Sequence, residues 1–408
     1  MFQHIEPYAG DPILTLNEAF GRDPRTDKIN LSIGIYFDDE GKLPVMAAVR
    51  AAEAQQLQAA GVRPYQPMEG AANYRQAVQH LLFGAEHEAV KSGRIATLQT
   101  IGGSGGLKVG ADFLKRWFPD SAVWVSDPTW DNHRAMFEGA GFKVGTYPYY
   151  DAATGGLDFE AMLAAIEQLP ARSIVLLHAC CHNPSGVDLT HAQWARLIPV
   201  IARRGLIPYV DIAYQGFGDG IEEDAWAIRA LAADRTAGTP ISFFVASSFS
   251  KSFSLYGERC GALSVVCPDA AQAELALGQL RATIRRNYSS PPTHGGQLVA
   301  RVLQTPALRA QWAAELDAMR VRIAALRQRL HSGLGERLRA AGDTRNIDYF
   351  ITQRGMFSYT GLSATQVDRL REEHAVYLVR SGRMCAAGLN PNNVDAVAAA
   401  LATVMLKD

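Results

Sequence analysis

The chain has 408 residues, 48% of them apolar and 20% charged, a balance typical of a globular protein with two or three structural units. Lys and Arg total 40 against 41 for Asp and Glu, which argues against a nucleic-acid or membrane-surface partner held by bulk charge. No apolar run approaches the roughly 20 residues that cross a bilayer, and the start MFQHIEPYAGDP does not resemble a signal peptide. The five cysteines show no disulfide spacing. We therefore expect a protein of the reduced cytoplasm.

Short apolar runs, separated for the most part by helical patterns, make up most of the chain. The N-terminal segment before them is rich in Pro, Gly and Asp and is interpreted as an arm that needs another surface to lie on. Strands that alternate with helices predict an α/β fold with a mainly parallel sheet. The predicted strands include Ala122–Val125, Ser173–Leu177, Leu206–Val210, Ile241–Ala246 and Ala262–Val266.

A long amphipathic helix is predicted from Ala307 to about His331, because Leu, Trp, Met and Ile residues recur there in steps of three and four. Shorter apolar runs and a helical segment, Val394–Leu406, follow it and predict a smaller α+β domain. We therefore expect three parts: an arm with part of the small domain (1–45), a large domain (46–305), and an interdomain helix with the small domain (306–408).

A lysine follows the predicted strand in the segment SSFSKSFSLYGER, with no acidic residue beside it. Considered alone, Lys251 is most simply a solvent-facing side chain. Close to another cation or partly buried, however, a lysine loses its proton more readily, and its neutral amine can bond to a carbonyl. Arg259 would supply such a cation and, with the hydroxyls of Ser248 and Ser250, would suit a phosphate ester. This combination indicates pyridoxal phosphate, whose aldehyde bonds to an amine.

Pyridoxal phosphate needs an acid for its ring nitrogen and donors for its phenolic oxygen. Asp211 follows the apolar run Leu206–Val210, where an unpaired carboxylate is costly and a cationic ring nitrogen would compensate it. Tyr214 and Asn183 are candidate donors to the phenolic oxygen. Considered singly, Asp211 is more simply a cap or turn acid, and Asn183, in Asn-Pro-Ser-Gly, a turn-former.

A glycine-rich segment, Gly102–Gly106, precedes the predicted helix Leu107–Trp117, and main-chain N–H groups at such a position bind phosphate. The segment matches neither the dinucleotide fingerprint nor the Walker pattern, and glycine-rich turns without a ligand are commoner than phosphate sites. Trp130 is a candidate aromatic plate over the ring, although core packing explains a single Trp equally well. Each candidate follows the carboxyl end of a predicted strand, where open α/β sheets place ligands, and this favours one common site.

With these residues in place, the chain resembles the class I pyridoxal-phosphate aminotransferases, in particular their aspartate/aromatic branch. The lysine segment SSFSKSFSLYGERCGAL carries the closest resemblance, which extends over essentially the whole chain. The other matching segments, in order, are DPILTLNEAF, INLSIGIYFDDEGKLPV, VWVSDPTWDNH, HACCHNPSG, DIAYQGF, RRNYSSPP, RGMFSY and SGRMCAAGLN.

The resemblance implies fold type I of the pyridoxal-phosphate transferases, with a large domain around a mainly parallel seven-stranded sheet and a smaller α+β domain. Lys251 resembles the residue that bonds to the cofactor aldehyde and later carries the proton between the substrate Cα and the cofactor. Asp211, supported by His133, resembles the partner of the ring nitrogen, while Tyr214 and Asn183 resemble the pair that binds the phenolic oxygen. The remaining implied cofactor contacts are Gly103, Ser104, Trp130, Ser248 and Arg259.

Two resemblances imply a homodimer with shared active sites. Tyr65, in YQPMEG, resembles the tyrosine that reaches the phosphate of the neighbouring subunit's cofactor. Arg285 resembles the arginine that crosses from the other subunit to bind a distal carboxylate. The adjacent Arg286 is the competing candidate, and Arg285 is chosen because its distance to Tyr-Ser-x-Pro-Pro agrees with the family.

The implied substrate contacts also include Arg383, which resembles the arginine that binds the α-carboxylate with two hydrogen bonds, and Gly34, whose main chain lies over the substrate. Trp130 and Asn183 complete this set. Ser290 stands where aspartate-specific members usually carry Asn. The resemblance therefore favours an enzyme that transfers amino groups from aromatic and dicarboxylic amino acids to 2-oxoglutarate by a ping-pong mechanism. The alternative is a strict aspartate aminotransferase.

The run His178–His182 looks superficially like a metal cluster. Successive side chains of a strand point to opposite faces of the sheet, so we expect these residues not to converge on one ion. No metal is therefore predicted.

Overall fold

The computed structural model describes residues 1–8, 10–59, 61–62 and 64–406. The chain divides into two compact units, one comprising the chain up to Leu43 and from Arg322 onward, and the other comprising Pro44–Val321. Among the described residues, no helix combines the length and apolar character needed to span a membrane. The three-part division expected from the sequence stays a prediction.

The structure contains strands and helices in the following order. The strands are β1 Ile29–Asn30, β2 Ile95–Ile101, β3 Val123–Asp127, β4 Val144–Pro148, β5 Tyr150–Asp151, β6 Gly156–Leu157, β7 Ile174–His178, β8 Ile207–Ile212, β9 Phe243–Ser248, β10 Cys260–Val266, β11 Phe357–Tyr359, β12 Val376–Tyr377 and β13 Arg383–Cys385. The helices are α1 Pro12–Arg22, α2 Ala47–Gln58, α3 Ala72–Phe83, α4 Glu88–Lys91, α5 Gly102–Trp117, α6 Asp131–Glu138, α7 Phe159–Glu167, α8 His191–Arg204, α9 Trp226–Ala233, α10 Ala270–Asn287, α11 His294–Gln304, α12 Pro306–Ala340, α13 Tyr349–Thr352, α14 Ala364–His374 and α15 Val394–Leu406.

A seven-stranded sheet forms the centre of the larger unit, in the order β2-β10-β9-β8-β7-β3-β4. Strand β10 runs antiparallel to both of its neighbours, and the other neighbouring pairs are parallel. Strands β7, β9 and β10 are buried along their whole lengths, which explains their almost unbroken apolar sequences. The predicted α/β fold with a mainly parallel sheet of seven strands is confirmed.

The register of the parallel strands brings the predicted site residues to one edge of the sheet. His178 on β7 lies opposite Asp211 on β8, and Asp211 lies opposite Ala246 on β9. The segments that leave the carboxyl ends of these three strands carry Asn183, Tyr214 and Lys251. The common edge predicted from the sequence therefore exists.

Helix α5 begins five residues earlier than predicted, because the glycine-rich segment is its first turn and not a separate turn before it. Glycine allows this helix to pack directly on the sheet. A Cβ added at Gly103 would lie 3.1 Å from the Cβ of Ser248, and one added at Gly106 would lie 3.0 Å from the main-chain oxygen of Ala262. Close packing thus overrides the low helix propensity of glycine.

The smaller unit contains two two-stranded sheets. Strand β1 pairs in parallel with β12, and β11 pairs in antiparallel fashion with β13. The N-terminal segment contains α1, whose first turn is capped by Asp11, and contributes β1 to a sheet of this unit. Helix α12 extends nine residues beyond the predicted end at about His331, and the seven apolar residues of its predicted face are all buried.

Candidate active site

Asp211 is a buried carboxylate at the carboxyl end of the central strand β8. The His133 imidazole lies behind it, with its Nε2 3.0 Å from Oδ2 of Asp211, and is itself completely buried. The other imidazole nitrogen, Nδ1, lies 2.8 Å from the hydroxyl of Thr129. The histidine ring is therefore held at both nitrogens, and it holds the carboxylate in one orientation.

The pKa of Asp211 is set by opposing effects. Burial raises the pKa, but the hydrogen bond with His133 and the electrostatic effects of His133, His178 and Lys251 outweigh burial and lower it. A buried carboxylate that stays ionised is suited to pair with a cation placed against its remaining oxygen. Asp211 can therefore keep a ring nitrogen protonated.

Lys251 lies in the turn that follows β9, and its Nζ is 5.0 Å from the centre of the Tyr214 ring. Tyr214 is buried and follows β8 by two residues. Trp130 immediately precedes α6, and its ring meets that of His133 edge-on at 5.2 Å between centres. Asn183 is buried in the segment after β7. The structure thus groups the predicted amine, its aromatic neighbour and the predicted carboxylate at adjoining strands.

A cationic cradle lies at the N-terminus of α5. The main-chain N–H of Gly102 donates to the carbonyl of Arg259 at 2.8 Å, and a Cβ on Gly102 would lie only 2.6 Å from Nη2 of Arg259. The Arg259 guanidinium also donates to the Ser250 hydroxyl at 3.3 Å, and the Ser248 hydroxyl donates to that of Ser250 at 3.2 Å. The first N–H groups of a helix have no partner within it, so they, the guanidinium and the hydroxyls suit a phosphate.

The smaller unit holds the other predicted arginine in a buried setting. One guanidinium nitrogen of Arg383, Nη2, donates to the main-chain oxygen of Ser32 at 2.6 Å. The Phe357 ring covers the guanidinium, with 4.6 Å between its centre and Cζ of Arg383. The same ring approaches Gly34, where an added Cβ would lie 2.9 Å from Cζ of Phe357. Gly34, Phe357 and Arg383 therefore form one packed group.

Three predicted residues lie away from these groups on the chain surface. Tyr65 is 95% exposed, and Arg285 is exposed near the end of α10, where it donates to the Ser289 hydroxyl. The adjacent Arg286 is also exposed and donates to the Thr283 hydroxyl at 3.4 Å.

Ser104, in contrast to these three residues, lies at the cradle described above. It is partly buried in the first turn of α5.

The argument that strand alternation separates the residues of His178–His182 is wrong for the two cysteines. Strand β7 ends at His178, and the chain then bends, with φ of 52° at Cys181. The sulfurs of Cys180 and Cys181 consequently lie within 4.8 Å of each other and of a carboxylate oxygen of Asp224. Because Asp224 accepts three main-chain hydrogen bonds, we interpret this cluster as a buried hydrogen-bonded junction.

Sequence reasoning missed Phe357, Ser32 and Thr129. Phe357 and Ser32 act on Arg383 through contacts between segments far apart in the chain, which no local pattern reveals. The contact of Thr129 could have been predicted from the sequence. Thr129 precedes His133 by four residues at the start of a helix, where a hydroxyl can hydrogen-bond to a side chain one turn later.

The donor set of the larger unit fits pyridoxal phosphate group by group. The cradle at α5 suits the phosphate, the ionised Asp211 suits a protonated ring nitrogen, and Lys251 supplies an amine for the aldehyde. Tyr214 and Asn183 offer donors for the ring oxygen.

Comparison with known proteins agrees with this chemistry. Residues 26–401 match the family described as aminotransferase class I and II. The chain is 60% identical to an aromatic-amino-acid aminotransferase of Escherichia coli (strain K12), covering 99% of this chain and 100% of that protein. A solved aromatic-amino-acid aminotransferase from Burkholderia pseudomallei, covalently bound to pyridoxal phosphate, has a TM-score of 0.93 and 52% identity, with 99% of both chains covered. An aromatic amino acids aminotransferase from Psychrobacter sp. B6, cocrystallised with aspartic acid, has a TM-score of 0.96 and 51% identity, with 100% of both chains covered.

Proposed function

Because the chain belongs to the class I and II aminotransferase family, it is a pyridoxal-phosphate-dependent transaminase, and we propose that it transfers amino groups from aromatic and dicarboxylic amino acids to 2-oxoglutarate. The 60% identity with an aromatic-amino-acid aminotransferase along the whole chain carries the aromatic assignment. Ser290, in place of the Asn usual in aspartate-specific members, supports it. A strict aspartate aminotransferase is the second candidate, favoured by 51% identity over 99% of this chain with an aspartate aminotransferase of Pseudomonas aeruginosa.

In this proposal Lys251 holds the cofactor through its amine and later moves the proton. Pyridoxal phosphate, when bound, supplies the electron sink that accepts the electron pair left when the Cα–H bond breaks. With the cofactor bound, Nζ of Lys251 would be the base that takes the proton from the substrate Cα, holds it and returns it later in the reaction. Asp211 stays ionised because His133 donates to it, and it keeps the ring nitrogen protonated.

The remaining residues that contact the cofactor bind it and orient its ring. Tyr214 and Asn183 would donate to the ring oxygen of the bound cofactor, and Trp130 would cover its ring. The phosphate is bound by the first turn of α5, including Gly103 and Ser104, together with Ser248 and Arg259. These roles are supported by the resemblance and by the burial and neighbours of the residues that carry them.

Substrate binding is assigned to two arginines and to Gly34. Arg383 binds the α-carboxylate, and the planar fork of a guanidinium suits that group. The main chain at Gly34 lies over the substrate, and Trp130 and Asn183 contact it. Arg285 binds the distal carboxylate of dicarboxylic substrates, and it swings away or changes its hydrogen bonds when an aromatic ring enters.

We further propose a homodimer in which Tyr65 and Arg285 serve the partner's active site. Both side chains are exposed in the single chain, as are Leu57 and Val62 nearby. The residues around Tyr65 line a groove of about 1140 Å³. Exposed apolar side chains beside a groove are typical of a subunit interface. A cytoplasmic location is supported by the five cysteines, all of them buried and none in a disulfide.

A survey of half-reactions tests the substrate assignment. The enzyme with bound cofactor is mixed with single amino acids, and loss of the cofactor absorbance is followed. We expect tyrosine, phenylalanine, tryptophan, aspartate and glutamate all to react. Arg285→Ala should lower the specificity constant for aspartate by about 100-fold or more and that for phenylalanine by less than about tenfold, whereas Arg286→Ala leaves both unchanged. Equal losses for the two substrates would refute the role of Arg285, and reaction with aspartate and glutamate alone would favour the second candidate.

Subunit complementation tests the shared sites. Lys251→Ala and Arg285→Ala chains, each deficient with aspartate, are mixed under conditions that exchange subunits. If Arg285 acts on the partner's site, each mixed dimer has one intact site, and random exchange restores about a quarter of the wild-type aspartate activity. No recovery after demonstrated exchange would place Arg285 in its own subunit's site. Borohydride reduction followed by peptide mapping should separately find the cofactor on Lys251.

A further inference from the structure

The loop that follows β8 closes on a buried carboxylate. We propose that Asp224 is a positioning residue, which fixes this loop and thereby sets the hydrogen bond that Tyr214 donates to the ring oxygen of the cofactor. The inference rests on the role of Tyr214 under the proposed function, and it assigns to Asp224 a part in the reaction without contact with substrate.

Three main-chain N–H groups converge on Asp224. The amides of Gly216 and Gly218 donate to Oδ2 at 2.7 and 3.0 Å, and the amide of Asp219 donates to Oδ1 at 2.8 Å. Asp224 is only 5% exposed and lies in the short 3₁₀ turn that precedes α9. The segment that begins at Tyr214 is thus tied, within two to five residues, to a rigid helix start.

The glycines of this loop lie too close to their neighbours to carry a side chain. A Cβ on Gly218 would lie 2.5 Å from Oδ1 of Asp224. Gly216 has φ of 95°, which side chains rarely adopt, and a Cβ there would lie 2.3 Å from a methyl carbon of Leu316. Burial raises the pKa of Asp224 despite its three hydrogen bonds, so the carboxylate is retained here at an energetic cost.

The same carboxylate also reaches the loop that carries Asn183. One of its oxygens lies within 4.8 Å of the sulfurs of Cys180 and Cys181. The Cys181 thiol in turn donates a long hydrogen bond, 3.9 Å, to the carbonyl of Tyr214. A second acid, Asp188, accepts from the amides of Cys181 and His182 at 2.6 and 2.8 Å. Both proposed donors to the ring oxygen therefore lie in or beside loops closed by a carboxylate, and Asp224 contacts both loops.

A change at Asp224 should be visible in the absorbance of the lysine-bound cofactor. A hydrogen bond donated to the ring oxygen stabilises the negative charge of that oxygen. The nitrogen that joins Lys251 to the cofactor then loses its proton at lower pH. Asp224→Asn keeps the shape but replaces one accepting oxygen by an NH₂ group that faces N–H groups of the loop. The loop must then move, the bond from Tyr214 lengthens, and the midpoint of the absorbance titration should rise.

The experiment compares Asp224→Asn, Tyr214→Phe, the double variant and the neighbouring control Glu223→Gln, whose side chain is 60% exposed. We expect Tyr214→Phe to raise the midpoint by about 1 pH unit, Asp224→Asn by at least about half of that, and Glu223→Gln not at all. The double variant should match Tyr214→Phe, because Asp224 acts through that hydroxyl. Thermal unfolding with saturating cofactor verifies that each variant is folded. If Asp224→Asn does not fold, Gly218→Ala, which crowds the same carboxylate, supplies the measurement.

The possible outcomes distinguish the role of Tyr214 from the positioning role of Asp224. A shift for Tyr214→Phe with wild-type midpoints for Asp224→Asn and Gly218→Ala would overturn the inference and leave the proposed function intact. Full additivity in the double variant would also overturn it, because Asp224 would then act independently of the hydroxyl. An unchanged midpoint for Tyr214→Phe would overturn the role of Tyr214 and the inference with it.

Discussion

Gly34 packs against the ring that covers Arg383, and replacing it by Ala tests this contact. The added Cβ would lie 2.9 Å from Cζ and 3.5 Å from Cε1 of Phe357, so the ring must retreat by roughly half an ångström to reach ordinary contact. Phe357 is 2% exposed, so a displaced ring must press on the residues that bury it. Overpacking of this kind costs about 1–3 kcal/mol, and we expect the free energy of unfolding to fall by about 1–2 kcal/mol.

The same displacement should weaken substrate binding. The ring lies over the Arg383 guanidinium, which also donates a hydrogen bond to the Ser32 carbonyl. A shifted ring changes the orientation of the fork that binds the α-carboxylate, a group common to every substrate. KM should therefore rise about three- to tenfold for both phenylalanine and aspartate, which corresponds to about 0.7–1.4 kcal/mol, with a smaller change in kcat.

Urea unfolding and steady-state kinetics of Gly34→Ala, Phe357→Leu and the double variant measure these effects. Leucine at 357 leaves room for the new methyl group, so the two substitutions should compensate each other by about 1 kcal/mol or more. Gly21→Ala is the matched control, because no atom lies within 4 Å of a Cβ at that position in α1. Additive effects, or a rise in KM confined to one substrate class, would refute the reasoning.

Three further predictions concern other buried or charged groups. Arg327→Met removes four hydrogen bonds donated around β11 and should lower the free energy of unfolding in urea by about 3 kcal/mol, whereas a loss below about 1 kcal/mol would contradict this role. Burial lowers the pKa of His178 to about 3 from an ordinary value of 6.5, so its neutral ring adds stability above pH 6.5 that is lost towards pH 3 by up to about 1.4 kcal/mol per unit. His178→Asn should flatten this part of the stability curve, and an unchanged slope would count against it. Arg259→Gln should weaken pyridoxal phosphate binding, followed by fluorescence, by about 10- to 100-fold, while Arg286→Gln leaves it unchanged.

The sheet was predictable where apolar runs are unbroken, as in β7, β9 and β10. Strand β2 gives a weaker signal in the sequence, because Thr97 and Gln99 interrupt its apolar residues. Both side chains are buried and find partners far along the chain, Thr97 at the hydroxyl of Ser264 and Gln99 at the carbonyl of Pro292. Burial of polar groups with distant partners leaves no local pattern to detect.

In the site, too, some features follow from local sequence patterns and others depend on contacts between distant segments. The positions of Asp211 and Lys251 followed from polar residues at the ends of apolar strands, a signal that the topology makes meaningful. The first turn of α5 was not predictable, because glycine disfavours helices and only packing against Ser248 and Ala262 explains the choice. The cover that Phe357 provides for Arg383 depends on tertiary contacts alone. The roles assigned to the site residues stay predictions until the variants are measured.

The pairing of β8 with β9 also bears on how this chemistry could be rebuilt elsewhere. Asp211 lies opposite Ala246, and Lys251 follows Ala246 by five residues. The distance between the carboxylate and the amine is therefore set by the main-chain hydrogen bonds that pair the two strands. Extra residues in the connection between α9 and β9 would leave that span intact, whereas one extra residue between Ala246 and Lys251 would change it. A designer who transplants the acid and the amine to a new scaffold must therefore carry both strands across as a registered pair.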